Sequence, residues 1–165
     1  WLSLFDGIKV IGVLFGAAQL VGAMAGGTDP IKPLKGVFSV GSKAETVHME
    51  FTKIKSLVDL QVALKASDKP VYFDFYADWC TECKRMEATT FQDTELLALS
   101  SQFTLLKADV TANDAVDAEL MAYFQIVGPP ASLFFAPGGA PLVQHNFFGY
   151  KSAAELKQTF EKILN

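Results

Sequence analysis

Val71 to Ala77 (VYFDFYA) is a short, almost continuous apolar run, the pattern of a central strand covered on both faces. Phe103 to Val110 repeats it and predicts a second central strand, and Val47 to Ile54 predicts a first strand. Between them Leu57, Leu60, Val62 and Leu64 fall mostly on one helical face, and Lys69-Pro70 ends that element. A helix is expected from about Cys80 to Thr89, with Asp93 capping a further stretch to Ser100. Asn113 or Asp114 opens a helix through Phe124, after which Pro129-Pro130 interrupts the chain. Ala131 to Ala136 and Leu142 to Phe147 flank Pro137-Gly138-Gly139, a hairpin signal. Ser152 can cap a last amphipathic helix carrying Leu156, Phe160, Ile163 and Leu164. The order βαβαβαββα predicts an α/β fold with a central mixed sheet sandwiched by helices.

The amino-terminal pattern differs in kind. Val10 to Gly27 runs 18 residues with Gln19 as the single polar side chain. Extended back to Ile8, it reaches the roughly 20 residues a membrane span requires, if Lys9 snorkels to the interface near Trp1 and Phe5. A secretory signal peptide is a second reading, since Ala23-Met24-Ala25 resembles a cleavage site, and an apolar helix buried in a domain is a third. The glycines at 7, 12, 16, 22, 26 and 27 suit helix packing in lipid better than a soluble helix. Thr28 to Ser42, with Pro30, Pro33, Gly36 and Gly41, reads as a tether. The expected organisation is a transmembrane helix over 1–27, a tether over 28–42 and a domain over 43–165, and the opening Trp1 suggests a fragment of a longer chain.

Composition narrows the classes. The chain of 165 residues suits one ordinary domain plus a short extension. Half of it is hydrophobic and 19% charged, which excludes disorder. A net charge of −4 with Lys84-Arg85 as the single adjacent basic pair makes nucleic acid a poor partner.

There are two cysteines, Cys80 and Cys83, too few for a disulfide-stapled scaffold or a four-thiolate zinc site. Three residues apart at a helix start, they share a face and lie close enough to form a disulfide. Cys80 at the amino end of the helix would have its thiolate favoured by free amides and the helix dipole, which makes it the nucleophile. Cys83, one turn in, is suited to resolving a mixed disulfide. A zinc site would need two more ligands, with only His48, His145 and carboxylates to supply them. A purely structural disulfide across so short a loop would constrain the unfolded chain little.

Asp74 stands in the middle of the apolar Tyr72–Tyr76 run, where an ionised carboxylate is expensive to bury. Burial would raise its pKa and make it a proton acceptor for the resolving thiol, whereas a strand-edge position would leave it solvated. Glu87, four residues after Cys83, shares that helical face and is either a second proton-handling group or an ordinary solvated glutamate. Pro130 is placed to hold a cis peptide bond beside the site. Trp79 and Tyr76 either line a contact platform or belong to the core.

Asp74 to Lys84 (DFYADWCTECK), with Pro130 ahead of a hairpin and Gly149 before the last helix, resembles thioredoxin-like domains over about residues 43–165. With Glu87, Thr90-Phe91 and Asp109 to Asp114 (DVTAND) included, it more closely resembles the carboxy-terminal domain of the transmembrane thiol:disulfide interchange family. The apolar segment followed by Asp29-Pro30 and Lys32-Pro33-Leu34 is similar to that family's last span and tether. The resemblance implies a thioredoxin-like fold at the bacterial inner membrane, anchored through residues 8–27, with 43–165 on the periplasmic side. It implies a reductase that takes electrons from membrane-domain cysteines of the same protein and passes them to its amino-terminal periplasmic domain. Its redox group would be the Cys80/Cys83 pair, with no other cofactor and no metal. The positions matching Asp74 and Glu87 would tune the thiols, and the one matching Pro130 would be a cis-proline. Trp79, Tyr76 and Pro130 are the expected partner contacts. Pro129 departs from the pattern, because a residue with a free amide is usual there. The rival readings are a disulfide oxidase or isomerase, a cytochrome c maturation reductase, and a non-catalytic or metal-binding module.

Overall fold

The computed structural model describes residues 48–165, so the expected membrane helix (1–27), tether (28–42) and domain start at 43 lie outside the described residues. The most apolar run, β2 (Val71–Tyr76), occupies the middle of a five-stranded sheet. It pairs in parallel with β3 (Thr104–Asp109) and antiparallel with β4 (Ala131–Phe135). The short strands β1 (Thr52–Ile54), beside β3, and β5 (Phe147–Phe148), beside β4, complete the order β1-β3-β2-β4-β5. The mixed sheet expected from the element order is therefore present.

Five helices cover it: α1 (Leu57–Ala66), α2 (Thr81–Ala88), α3 (Thr94–Ser100), α4 (Ala115–Tyr123) and α5 (Ala153–Leu164). Polar caps fix their starts, as the sequence predicts for three of them. The side chains of Asp93, Asp114 and Ser152 accept first-turn backbone N–H groups, and Ser56 does the same for α1. The pleat of β2 divides the core. Val71, Phe73 and Phe75 pack with Leu60 and Leu64 of α1 and Leu120 of α4. Tyr72 packs on the opposite face with Met86 of α2, Leu96 of α3 and Leu156 and Phe160 of α5. Asp74, two residues after Tyr72, shares the second face.

Two expectations are corrected at the sheet edges. Of the expected first strand over 47–54, residue 47 lies outside the described residues and 48–51 are not strand; β1 covers Thr52–Ile54, and Phe51 just before it packs its ring in the second core, 5.4 Å from Phe91 and 6.0 Å from Tyr72. The second arm of the hairpin is not a strand over 142–147. Phe135 meets Pro141 but Ser132 meets Phe147, three residues more than a continuous ladder needs. The surplus forms a 3-10 turn at Val143–His145, and the Asn146 side-chain oxygen accepts the Phe134 N–H (2.9 Å) in place of a backbone carbonyl. Pro141, with no N–H to donate, is tolerated at this edge.

Candidate active site

The carboxyl ends of β2 and β3, the start of β4 and the end of β5 meet at one end of the sheet, because Ala131 is in register with both Phe75 and Phe148 and Tyr76 with Asp109. The turn after β2 carries Ala77 to Cys80 into α2, whose amino-terminal cap is Cys80 itself. Cys80 and Cys83 are joined by a disulfide, with 5.3 Å between Cα atoms, and both are buried. The Cys83 N–H donates to Cys80 Sγ at 3.1 Å. The sulfur that would carry negative charge after reduction thus already sits where a free backbone donor of the first turn points.

Behind this turn Asp74 is 3% exposed. Its neighbours across the sheet are Lys107 on β3 and Ser132 on β4. Burial pushes the carboxyl up to about 7, the Lys107 ammonium works against that rise, Glu87 adds to it, and the Ser132 hydroxyl opposes it. Ser132 Oγ–H donates to Asp74 Oδ1 over a long 3.4 Å and shares a 3.0 Å hydrogen bond with the Tyr72 hydroxyl. Lys107 Nζ donates to Glu87 Oε1 at 2.7 Å, so Lys107 lies between the buried carboxyl of Asp74 and the half-exposed one of Glu87. Glu87 and Lys107 also line a groove of about 420 Å³ with Met49, Phe51 and Phe91, which gives this charged pair a route to water. Lys107 further lies over the rings of Phe51 (4.3 Å) and Tyr76 (5.1 Å).

The remaining sequence candidates fall around the same end of the sheet. The peptide bond Pro129-Pro130 is cis, Pro130 is buried, and its carbonyl accepts the Gly149 N–H at 2.9 Å. Trp79 is 58% exposed while its Nε1–H reaches the Thr111 carbonyl at 3.3 Å, so the indole belongs to the surface beside the cysteines and not to the core. Tyr76 is half-buried and donates its hydroxyl to Asp78 (2.8 Å). Burial, helped by the hydrogen bond to Asp78, pushes that phenol up to about 12. Among the described residues no group of three or more His, Cys, Asp and Glu side chains is placed to hold a metal ion. Sequence reasoning missed Lys107 and Ser132. Lys107 carried the same signal as Asp74, a charge inside an apolar strand, whereas Ser132 carried none.

This fold and this helix-capping Cys-x-x-Cys disulfide define a thioredoxin-like thiol:disulfide oxidoreductase domain, and residues 58–137 match the family described as thioredoxin-like. Relatives by sequence include proteins named thiol:disulfide interchange protein DsbD. The chain is 45% identical to that of Ralstonia nicotianae over 139 residues, which is 79% of this chain and 23% of the relative. It is 39% identical to that of Pseudomonas fluorescens over 144 residues, 84% of this chain and 24% of the relative. The chain therefore spans about a quarter of the length of these relatives. Among solved structures it is similar to the oxidised carboxy-terminal domain of Neisseria meningitidis DsbD, at 28% identity and a TM-score of 0.54 over 67% of this chain and 98% of that one. The reduced form of the same domain gives a TM-score of 0.52 with the same identity and coverage.

Proposed function

We propose that this domain is a reductase in a DsbD-type relay. It accepts two electrons from a dithiol in a membrane-embedded part of the same protein and delivers them to a disulfide of an amino-terminal periplasmic domain. In this reading residues 8–27 span the bacterial inner membrane, 28–42 are a tether, and the domain from 43 works on the periplasmic side. The similarity to proteins named DsbD supports it, and the observation that carries the chemistry is the Cys80–Cys83 disulfide at the start of α2, reached from the strand that buries the Asp74 carboxyl.

The exchange runs in two displacements. The reduced Cys80 thiolate attacks one sulfur of the partner disulfide, forming a Cys80–partner bond and expelling the other partner sulfur as a thiolate. Cys83 then gives its thiol proton to Asp74, and the resulting thiolate attacks Cys80 Sγ. The Cys80–Cys83 bond forms, the second partner sulfur leaves as a thiolate, and that thiolate takes up a proton. The cysteine pair is oxidised by two electrons and the partner disulfide reduced by two. A pKa near neutrality suits Asp74 to accept and return a proton at the pH where it works. Lys107 and Glu87 connect it to the groove and to water, and Trp79, Tyr76 and the Pro130 turn form the surface a partner meets.

Equilibrating the chain with thiol buffers and counting trapped thiols by mass gives its reduction potential. A value more reducing than about −200 mV is expected of an electron donor, whereas one near about −120 mV would overturn the proposed direction in favour of an oxidase.

A further inference from the structure

Two buried hydroxyls take no part in the disulfide exchange itself. Tyr72 and Ser132 are both fully buried, and their oxygens lie 3.0 Å apart. Ser132 stands directly across the antiparallel ladder from Asp74, with its Oγ 3.4 Å from Asp74 Oδ1, and Tyr72 precedes Asp74 by two residues on the same face of β2. The three side chains form a file, phenol to hydroxyl to carboxyl, which crosses from one strand to the next and back. The charged groups facing Asp74 are Lys107 from β3 and Glu87 from α2, while α5 and β5 bring the apolar Phe160 and Phe147 to this face.

The file has two possible polarities. In one, Tyr72 donates to Ser132 and Ser132 donates to Asp74 Oδ1, which accepts whether the carboxyl is ionised or carries its proton on Oδ2, so that both hydroxyl hydrogens have an acceptor. In the other, a protonated Asp74 donates to Ser132 and Ser132 donates to Tyr72, whose own hydrogen then has no acceptor among the described residues. The first is the better satisfied, and because a hydroxyl donates more strongly to a carboxylate than to a neutral acid it supports negative charge on Asp74. Burial alone favours the neutral acid, so the file acts against the apolar surroundings.

We infer that Ser132 and Tyr72 are positioning residues that fix the Asp74 carboxyl and favour its ionised form, so that it is ready to take the proton of the resolving thiol. This rests on the reading of Asp74 as the proton acceptor. Ser132 acts directly on the carboxyl, and Tyr72 acts through Ser132 by orienting its hydroxyl.

Two readouts on the full chain separate the inference from the reading beneath it. The first is the titration of the Asp74 carboxyl carbon by NMR in the oxidised protein. Ser132→Ala is expected to raise its midpoint by on the order of one pH unit, Tyr72→Phe by less, and Ser132→Thr, which keeps the hydroxyl, to restore it. The second is the pH profile of mixed-disulfide resolution in the reduced protein. At pH well below the midpoint Ser132→Ala should slow that step about tenfold, since a shift of one unit lowers the ionised fraction tenfold. Should Ser132→Ala fail to fold because Tyr72 loses its partner, the double variant Tyr72→Phe/Ser132→Ala removes both hydroxyls together and gives the same readings. An unmoved Asp74 titration in the Ser132 variants would overturn the inference. A pH profile that Asp74→Asn leaves unchanged would instead overturn the role of Asp74 as base, while the NMR midpoint still reports on the file.

Discussion

Asp74 sets the pH behaviour of this domain through a single proton. Its carboxyl keeps that proton in the fold up to about pH 7 but loses it near 3.8 when unfolded. Between those values the native state binds more protons than the unfolded one, so stability falls as pH rises through the window and levels off above it. The slope reaches up to about 1.4 kcal/mol per pH unit. Denaturant unfolding of the oxidised protein from pH 4 to 8 should show this decline, and Asp74→Asn should remove it. Lys107 and Glu87 act on the same carboxyl with opposite signs. Lys107→Met should raise the Asp74 midpoint and Glu87→Gln should lower it, both readable in the carbon titration. Asp74 was legible in the sequence because a carboxylate inside VYFDFYA is costly unless used. Lys107 was passed over because a long lysine stem escapes from a strand to water with ease. Here it escapes only as far as Glu87, an ion pair joining residues 20 apart in the chain. Ser132 gains its meaning from a strand register that spans 58 residues and leaves no trace in local pattern.

Among the elements, helices and central strands were legible, because caps and apolar runs are local signals. The edges were not. The hairpin was readable from Pro137-Gly138-Gly139, but its three-residue surplus depends on Asn146 substituting for a backbone carbonyl, which no periodicity encodes. That substitution has a measurable weight. Phe134 is fully buried, and its N–H relies on the Asn146 side chain. Asn146→Leu should leave this donor unpaired and destabilise the protein by about 1–3 kcal/mol, read as a lower denaturation midpoint at unchanged m-value. The loss should fall on the β4–β5 edge, so amide exchange there should rise before it rises in β2.

Across the whole molecule, the sheet separates two cores that should be unequal in function. Phe160 of α5 is fully buried and its ring lies 5.4 Å from Tyr72 and 6.0 Å from Phe134, on the face that holds Asp74. Leu120 of α4 is as deeply buried on the other face. Phe160→Ala should cost about 3–5 kcal/mol and Leu120→Ala about 2–5 kcal/mol. Only the first should admit water near Asp74, easing its desolvation and lowering its midpoint, so losses of stability in overlapping ranges should accompany unequal changes in pH profile. The sheet's two margins carry a different consequence. Among the described residues β1 is three residues long and bears the exposed Lys53, and β5 is two residues long. Such stubs present too few free N–H and C=O groups for another chain to extend the sheet, and a lysine ammonium at one of them discourages stacking of copies. The domain is thereby guarded against fibril-like self-association at high local concentration.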